Sequence, residues 1–222
     1  MVSLRPLRPL RLNKIQTLTK IKMIIDPATL DRRQRYRLLI STVAPRPIAW
    51  VSTQNKAGVP NLAPFSFFQA ISGTPPYIMI SIGQRAERPK DTLQNIQTTG
   101  GFVINLVTEE LSEKMNVTSG DYSPEVNEFT LAGLTPVPAD LVAAPRVAEC
   151  LVSLEAKLTQ LVTLPGSEYT PVIGEIVRWH IADGLLAPDG LIDLARLRPI
   201  ARLARDEYVK FGEVFAMLRP KV

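Results

Sequence analysis

A cluster of cationic and hydroxyl side chains follows a predicted strand that ends near residue 83. Arg85 and Arg88 come directly after this strand, and Lys90 and Thr92 lie where a helix is predicted to begin. The first N–H groups of a helix lack acceptors within the helix, and the helix dipole favours negative charge there. Cations, a hydroxyl and free amides together suit a phosphate group. The alternative interpretation is a solvated basic loop followed by an ordinary helix cap.

A second polar segment, residues 61–68, reads NLAPFSFF and is expected to be irregular. Pro60 and Pro64 interrupt the extended stretch 59–70, and proline within a sheet is tolerated at an edge or a bulge. An irregular segment exposes backbone N–H and C=O groups, which a planar heterocycle with ring carbonyls and nitrogens could bind. The sequence therefore offers a candidate heterocycle site beside the candidate phosphate site.

The residue inventory argues against several other kinds of site. The chain has one histidine, His180, and one cysteine, Cys150, so it cannot by itself supply paired histidine ligands, a thiolate cluster or a disulfide. His180 lies in a strand pattern without a nucleophile elbow, and we expect it to be a packed or surface strand residue. Cys150 is expected to be a small packing residue. Neither GxxxxGK[ST] nor GxGxxG occurs, which disfavours P-loop nucleotidases and ordinary Rossmann dehydrogenases. We predict no metal site.

The positive charge of the chain is concentrated in its first residues. Six of the 26 basic residues and none of the 21 acidic residues lie within residues 1–25, so the rest of the chain is close to neutral. A near-neutral body argues against a nucleic-acid-binding face. Residues 1–22 are open to three interpretations: a non-native or dispensable extension, a structured arm, or a targeting segment. No run of 18 apolar residues occurs, so we expect no membrane-spanning helix and a cytoplasmic protein.

The elements that must position these residues are predominantly strands. Strands are predicted at 47–53, 77–83, 101–108, 147–158, 172–181 and 199–203, with 147–158 half-exposed. Residues 54–58 predict a hairpin loop, because asparagine and glycine there can take positive φ, and residues 120–146 form a turn-rich connection. Helical segments are predicted within 26–40, at 90–98 with Asp91 or Thr92 as the cap, and at 109–116. Strands without regular βαβ alternation predict an antiparallel barrel.

Four segments in this order are similar to a known family. PRPIAWVST (45–53), NLAPFSFF (61–68), YIMISIG (77–83) and KDTLQNI (90–96) resemble the flavin reductase-like family, the FMN-binding split barrels. The resemblance runs from about Met23 to the end of the chain. It implies a mainly β fold, an antiparallel Greek-key split barrel with a few short peripheral helices, formed as a single domain by residues 23–222. It further implies a homodimer with FMN near the subunit interface and NADH or NADPH as the electron donor.

The same resemblance implies which residues hold the cofactor. These are Arg46, Asn61, Ala63, Pro64, Ser66, Ser81, Arg85, Lys90, Asp91 and Thr92. The residues that would lie near the ring and ribityl chain are Asn61, Ala63, Pro64 and Ser66. Those from Ser81 onward would lie near the ribityl chain or the phosphate. A flavin ring carries the hydride or electrons itself, so the absence of a histidine base, a metal or a thiol fits this chemistry. Trp50 is expected to be a core residue.

One position departs from the family pattern. The family commonly has a Gly-Gly turn after the Arg-Leu of the last strand, and here Ala204-Arg205 occupies that place. Alanine and arginine take positive φ less readily than glycine. We therefore expect that the turn could differ from that of the family.

Three functions are open at this point. The leading hypothesis is an FMN-dependent NAD(P)H:flavin oxidoreductase that could supply reduced flavin to a partner monooxygenase. The second is an electron carrier that holds FMN and takes electrons from a protein donor, and the third is a non-enzymatic binding barrel. For assembly, residues 65–71 carry Phe65, Phe67, Phe68, Ala70 and Ile71. That is more apolar surface than one small barrel face needs, and it predicts a two-fold homodimer.

Overall fold

The computed structural model describes residues 23–85 and 89–220 of the chain. The chain divides into two units, residues 1–39 and residues 40–222. The described part of the first unit contains a 3₁₀ turn at Pro27–Thr29, where Asp26 accepts a hydrogen bond from the Ala28 N–H at 2.9 Å. Helix α1, Arg32–Thr42, follows and is longer than the helical turn predicted within 26–40. The predicted basic extension 1–22 lies outside the described residues and stays a prediction.

Twelve strands are present in the described residues. In chain order they are β1 Arg46–Pro47, β2 Ala49–Gln54, β3 Pro60–Phe65, β4 Phe68–Gly73, β5 Pro76–Gly83, β6 Gly101–Leu106, β7 Pro136–Val137, β8 Arg146–Val147, β9 Val152–Leu161, β10 Tyr169–Ile181, β11 Ala201–Arg202 and β12 Tyr208–Val209. Seven of them form one sheet in the order β3-β2-β6-β9-β10-β5-β4, and every neighbouring pair is antiparallel. Strands β1, β11 and β12 form a small second sheet, and β7 pairs with β8.

The connectivity of the large sheet is that of a Greek key. Strands β6, β9 and β10 lie side by side, and β5, which precedes them in the chain, pairs with the far side of β10. At one end of the sheet β3 also contacts β5, which lies next to the opposite end. The sheet therefore curls into a barrel that stays split beside its edge strands. This confirms the predicted mainly β, antiparallel Greek-key fold.

The proline-broken segment 59–70 contributes residues to both edge strands of this sheet. Strand β3, which carries Pro60 and Pro64, is one edge, and β4 is the other. An edge strand has no neighbour on one side, so a missing N–H costs no ladder hydrogen bond. The predicted hairpin loop before β3 is also present: Asn55 Oδ1 accepts from two backbone N–H groups at 2.9 Å, and Gly58 has a φ of 85°.

Alternation along β2 divides the buried residues into two clusters. Ala49 and Val51 face the barrel interior, whereas Trp50 faces the opposite side, under the short helices α3, Ser112–Val117, and α4, Glu128–Leu131. The Trp50 indole N–H donates to Thr118 Oγ1 at 2.9 Å, so its polar atom is satisfied in a fully buried position. Trp50 is therefore a core residue, as expected.

The prediction of a half-exposed strand at 147–158 is wrong about the residue at which the strand starts and about the burial of its first residues. Strand β9 begins at Val152, and its first five residues are all buried. The strand lies between β6 and β10, with the core on one face and residues 138–147 on the other. Glu155 on that second face accepts hydrogen bonds from the N–H groups of Asp140 and Leu141, at 2.9 and 2.6 Å. A polar residue in an alternating pattern is buried here because a loop satisfies it.

The helices differ from the prediction mainly at their ends. Helix α2, Asp91–Thr99, has Lys90 as its N-cap residue without a side-chain capping bond, so the predicted Asp91 or Thr92 cap is wrong. Helix α3 begins at Ser112 rather than 109. A last helix, α5, spans Leu194–Leu197. Among residues 23–85 and 89–220, no helix is long and apolar enough to cross a membrane.

Candidate functional site

A pocket of about 280 Å³ lies at the N-terminus of α2, beside β3 and residues 118–121. Its lining brings together seven of the ten residues predicted to bind the cofactor: Asn61, Ala63, Pro64, Arg85, Lys90, Asp91 and Thr92. The remaining lining residues are Gln84, Thr118, Ser119, Gly120, Asp121 and Glu128. The end of β5, the start of α2 and the edge strand β3 thus meet at one place.

Two cations line this pocket and have different surroundings. The Arg85 guanidinium lies 3.2 Å from Asp91 Oδ2 and also contacts the carboxylate of the exposed Asp121. Lys90 has no ion pair among the described residues, and its Nζ lies 5.5 Å from the centroid of the Phe65 ring. Burial lowers the pKa of Lys90, and the positive charge of Arg85 lowers it further, against the opposing effect of Asp121. An anion in this pocket would relieve the repulsion between the two cations.

The start of α2 adds hydrogen-bond donors to the same place. The helix has nine residues, and the side chain of its N-cap residue, Lys90, makes no capping hydrogen bond. The first N–H groups of a helix favour an anion. Since Lys90 occupies the N-cap position, its ammonium group and the first turn of α2 belong to the same pocket.

A buried carboxylate that sequence reasoning did not identify also lines the pocket. Glu128 is 5% exposed and accepts hydrogen bonds from Asn61 Nδ2 at 2.8 Å and from the Leu62 N–H at 3.1 Å. Burial raises the pKa of Glu128 and the charge of Asp91 adds to this, although the hydrogen bonds that Glu128 accepts oppose the shift. No sequence signal indicated this contact, because Glu128 lies 67 residues from Asn61 in a turn-rich segment.

Three of the predicted binding residues, Arg46, Ser66 and Ser81, lie outside the lining of this pocket. Arg46 is buried, and its guanidinium donates to Ser66 Oγ at 3.4 Å and to three backbone carbonyls. The carbonyl acceptors are Ile40 and Val43, at 2.6 and 2.8 Å, and Leu203, at 2.8 Å. The Ser81 N–H donates to the Phe67 carbonyl at 2.8 Å. These contacts tie backbone segments together.

The turn that departs from the family pattern is a tight hairpin between β11 and β12. The Leu203 N–H donates a hydrogen bond to the Glu207 carbonyl across it, at 2.9 Å. Arg205 takes a φ of 51°, the left-handed conformation that glycine adopts without strain. The positive φ is therefore present here without a glycine.

His180 lies in a second polar cluster, away from the pocket. Its Nε2 is 2.5 Å from Oε1 of the buried Glu155. Asp140 joins them to form a group with ligand-type atoms within 4.8 Å of one another. Both Glu155 oxygens already accept backbone N–H groups, from Asp140 and Leu141, and this cluster holds the 140–141 turn against β9. His180 is a packed strand residue, as expected.

Cys150 does not offer a reactive thiol. Burial raises the pKa of its thiol to about 12, and the charge of Glu149 contributes in the same direction. A thiol with this pKa is uncharged near neutral pH and is a poor nucleophile.

Comparison with known proteins gives the family. The sequence profile described as "Flavin reductase like domain" matches residues 41–198. This protein belongs to the flavin reductase-like family. The match includes every residue that lines the pocket and ends before the Ala204-Arg205 turn. The resemblance stated from the sequence motifs is thereby confirmed.

Relatives of this flavin reductase-like protein are similar over most of their length. An uncharacterized protein of Halalkalibacterium halodurans is 44% identical over 205 residues, which cover 90% of this chain and 98% of the relative. Nitrilotriacetate monooxygenase component B from Bacillus cereus is 33% identical with a TM-score of 0.86, covering 90% of this chain and 100% of that one. A putative flavin reductase with a split barrel domain from Shewanella frigidimarina is 28% identical with a TM-score of 0.78, covering 87% and 96%.

Proposed function

We propose that this flavin reductase-like protein binds FMN at the α2 pocket and reduces flavin with NADH or NADPH. The observation that carries the proposal is the joint presence of Arg85, Lys90 and the N-terminus of α2 in one pocket. A phosphate would meet two cations and the positive end of a helix dipole there. The partly buried Lys90 has no ion pair among the described residues, and a bound phosphate would provide one.

The protein's own residues divide into two roles in this proposal. Arg85 and Lys90 would hold the phosphate, with the Thr92 and Asp91 positions providing the helix end. Asn61, Ala63 and Pro64 line the adjoining wall on the edge strand β3 and would meet the ribityl chain and the ring. Bound FMN would supply the centre that accepts a hydride, so these residues only have to bind and orient it. No side chain is assigned a proton transfer.

Assembly and partner belong to the same proposal. A pocket of about 280 Å³ is at the lower limit of small-molecule sites, which supports a homodimer in which a second copy covers the rest of the flavin. Phe65 is buried in the barrel, so less aromatic surface is available than the sequence indicated, whereas Ile71 is 46% exposed on the edge strand β4.

Because one similar structure is a monooxygenase component B, we propose that reduced flavin passes to a monooxygenase.

The test is an absorbance spectrum of the purified protein with added FMN, followed by anaerobic addition of NADH and then NADPH. Rapid bleaching of the flavin bands, compared with free FMN and the same nucleotide without protein, is the expected result. Bands that persist with both nucleotides indicate an electron carrier served by a protein donor. Failure to retain FMN indicates a barrel for another ligand. Light scattering at micromolar concentration tests the dimer, and a monomer mass would contradict it.

A further inference from the structure

The orientation of the Asn61 side-chain amide is set by its surroundings. Its Nδ2 donates to Glu128 Oε1 at 2.8 Å. Its Oδ1 accepts from Thr92 Oγ1 at 2.9 Å and from Thr53 Oγ1 at 3.4 Å. The NH₂ group thus faces Glu128, whose carboxylate oxygen accepts its hydrogen bond.

A backbone N–H group in turn holds the Glu128 carboxylate in place as a hydrogen-bond acceptor. Its Oε2 accepts from the Leu62 N–H at 3.1 Å, and Leu62 follows Asn61 on the same edge strand. A backbone N–H can only donate, so this bond orients the carboxylate independently of Asn61. The two bonds together make Glu128 the group that decides which end of the Asn61 amide faces Thr92.

This arrangement leaves Asn61 with one kind of hydrogen bond to offer. Both lone pairs of Oδ1 are taken by hydroxyl groups, and one hydrogen of Nδ2 is taken by Glu128. The second hydrogen of Nδ2 has no partner among residues 23–85 and 89–220. Asn61 is half-buried and lines the pocket. It therefore presents a donor, and no acceptor, to a ligand.

We propose that Glu128 is a positioning residue that makes Asn61 a hydrogen-bond donor toward an acceptor atom of the ligand. The proposal rests on the proposed flavin site and deepens it. A flavin has acceptors of three kinds: the ring carbonyl oxygens and ring nitrogens, the ribityl hydroxyls, and the phosphate oxygens. A ligand that presents a donor to Asn61 would be disfavoured, because Oδ1 has no free lone pair.

The substitution Glu128→Gln tests this with almost no change in shape. The Leu62 N–H still requires an acceptor, so the new side chain turns its oxygen to Leu62 and its NH₂ group to Asn61. Two NH₂ groups would then face each other, and the Asn61 amide turns over to avoid this. Its nitrogen moves toward Thr92, whose hydroxyl can accept, and its outward donor is lost.

The first measurement needs no ligand. In ¹⁵N-labelled protein, the Asn61 side-chain NH₂ protons should show nuclear Overhauser contacts to the Glu128 side chain in the wild type and to the Thr92 methyl group in Glu128→Gln. Thermal unfolding of both proteins shows whether the fold is intact. If the amide keeps its wild-type contacts in a folded variant, Glu128 does not set the orientation of Asn61 and the inference is overturned.

The second measurement uses calorimetric titration with lumiflavin, riboflavin and FMN. Glu128→Gln should weaken binding by roughly three- to tenfold, the value of one hydrogen bond. An equal loss for all three flavins assigns the acceptor to the ring, a loss for riboflavin and FMN but not for lumiflavin assigns it to the ribityl chain, and a loss confined to FMN assigns it to the phosphate. Unchanged affinity for all three overturns the inference. Wild-type protein that binds none of the flavins refutes the proposed function instead, whatever the orientation of Asn61.

Two further variants keep the test decisive. In an Asn61→Leu background the additional change Glu128→Gln should have no effect on flavin affinity, because its target is gone. If Glu128→Gln proves too unstable to study, Asn61→Leu alone should show the same three- to tenfold loss and the same pattern across the three flavins. A full Glu128→Gln effect in the Asn61→Leu background would mean that Glu128 acts by another route.

Discussion

Lys90 lines the pocket, and its Nζ atom lies 5.5 Å from the centroid of the Phe65 ring. A cation over an aromatic face gains about 0.5–2 kcal/mol, less than a good ion pair in a buried site. Burial and then the charge of Arg85 lower the pKa of Lys90, so both disfavour the charged form of this ammonium group. The protein holds this charge at a cost that an anionic ligand would remove.

Replacing Lys90 by Ala should weaken FMN far more than riboflavin, which lacks the phosphate. Loss of one charge-assisted hydrogen bond corresponds to about 1.5–3 kcal/mol, or a ten- to hundredfold lower FMN affinity. Calorimetric titration with both flavins measures the difference. Lys56→Ala, in the exposed hairpin loop before β3, is the matched control and should leave both affinities unchanged. Equal weakening of both flavins by Lys90→Ala would place Lys90 at the ring or in the fold.

The affinity for FMN should also fall as the pH rises toward the titration of Lys90. Because burial lowers the pKa of this ammonium group, the loss of charge begins below its ordinary value of 10.5. The ratio of FMN to riboflavin affinity, measured from pH 7.5 upward, isolates the effect of the Lys90 charge on binding of the phosphate. The phosphate is already doubly ionised in that range, and ring titration cancels in the ratio. The Lys90→Ala variant should show a flat ratio, and a flat ratio in the wild type would contradict the phosphate assignment.

Gly174→Ala should destabilise the barrel. A Cβ atom at Gly174 in β10 would lie 2.6 Å from Phe102 Cζ and 2.9 Å from Phe102 Cε1, and Phe102 is fully buried. Overpacking of this kind costs about 1–3 kcal/mol in the free energy of unfolding, measurable by urea denaturation. Gly73→Ala is the control, since a Cβ there meets no atom within 4 Å. The double variant Gly174→Ala, Phe102→Leu should recover part of the loss. No change for Gly174→Ala would show that Phe102 moves freely.

Arg205→Gly should stabilise the hairpin between β11 and β12. The left-handed conformation at φ 51° costs a residue with a side chain about 1–2 kcal/mol. The greater freedom of glycine in the unfolded chain offsets part of the gain. We expect a net increase of about 0.5–1 kcal/mol in the free energy of unfolding, seen as a higher Tm. Arg205→Ala keeps the unfavourable φ and should not gain. Equal stabilisation by both changes would point to charge rather than backbone conformation.

The sequence identified most of the pocket because its residues lie at the ends of predictable elements. Strand 77–83 and the helix after it are strong local patterns, and together they place Arg85, Lys90 and Thr92 near one another. The two prolines of the segment 59–70 predict an edge or a bulge, since a missing N–H is a local property of the chain, and β3 lies at an edge of the sheet. These features need no knowledge of distant contacts.

Two of the features that sequence reasoning missed depend on distant segments, and a third depends on the residue next to a helix. Glu128 reaches the pocket only because α4 packs on β3, and nothing near residue 128 indicates this. Strand β9 is buried on its polar face because residues 140 and 141 donate to Glu155. The start of α2 was misplaced by one residue because Lys90 holds the N-cap position without a capping side chain.

The small sheet that contains Arg46 can form only late in biosynthesis. Its guanidinium reaches the Leu203 carbonyl, 157 residues later in the chain, and β1 pairs with β11 next to that contact. Strand β1 therefore has no partner until residues 201–202 have left the ribosome, whereas β2 and β3 can pair as a local hairpin early in synthesis. A nascent chain arrested before residue 201 would carry the unpaired strand β1 and an Arg46 side chain with one of its backbone acceptors missing.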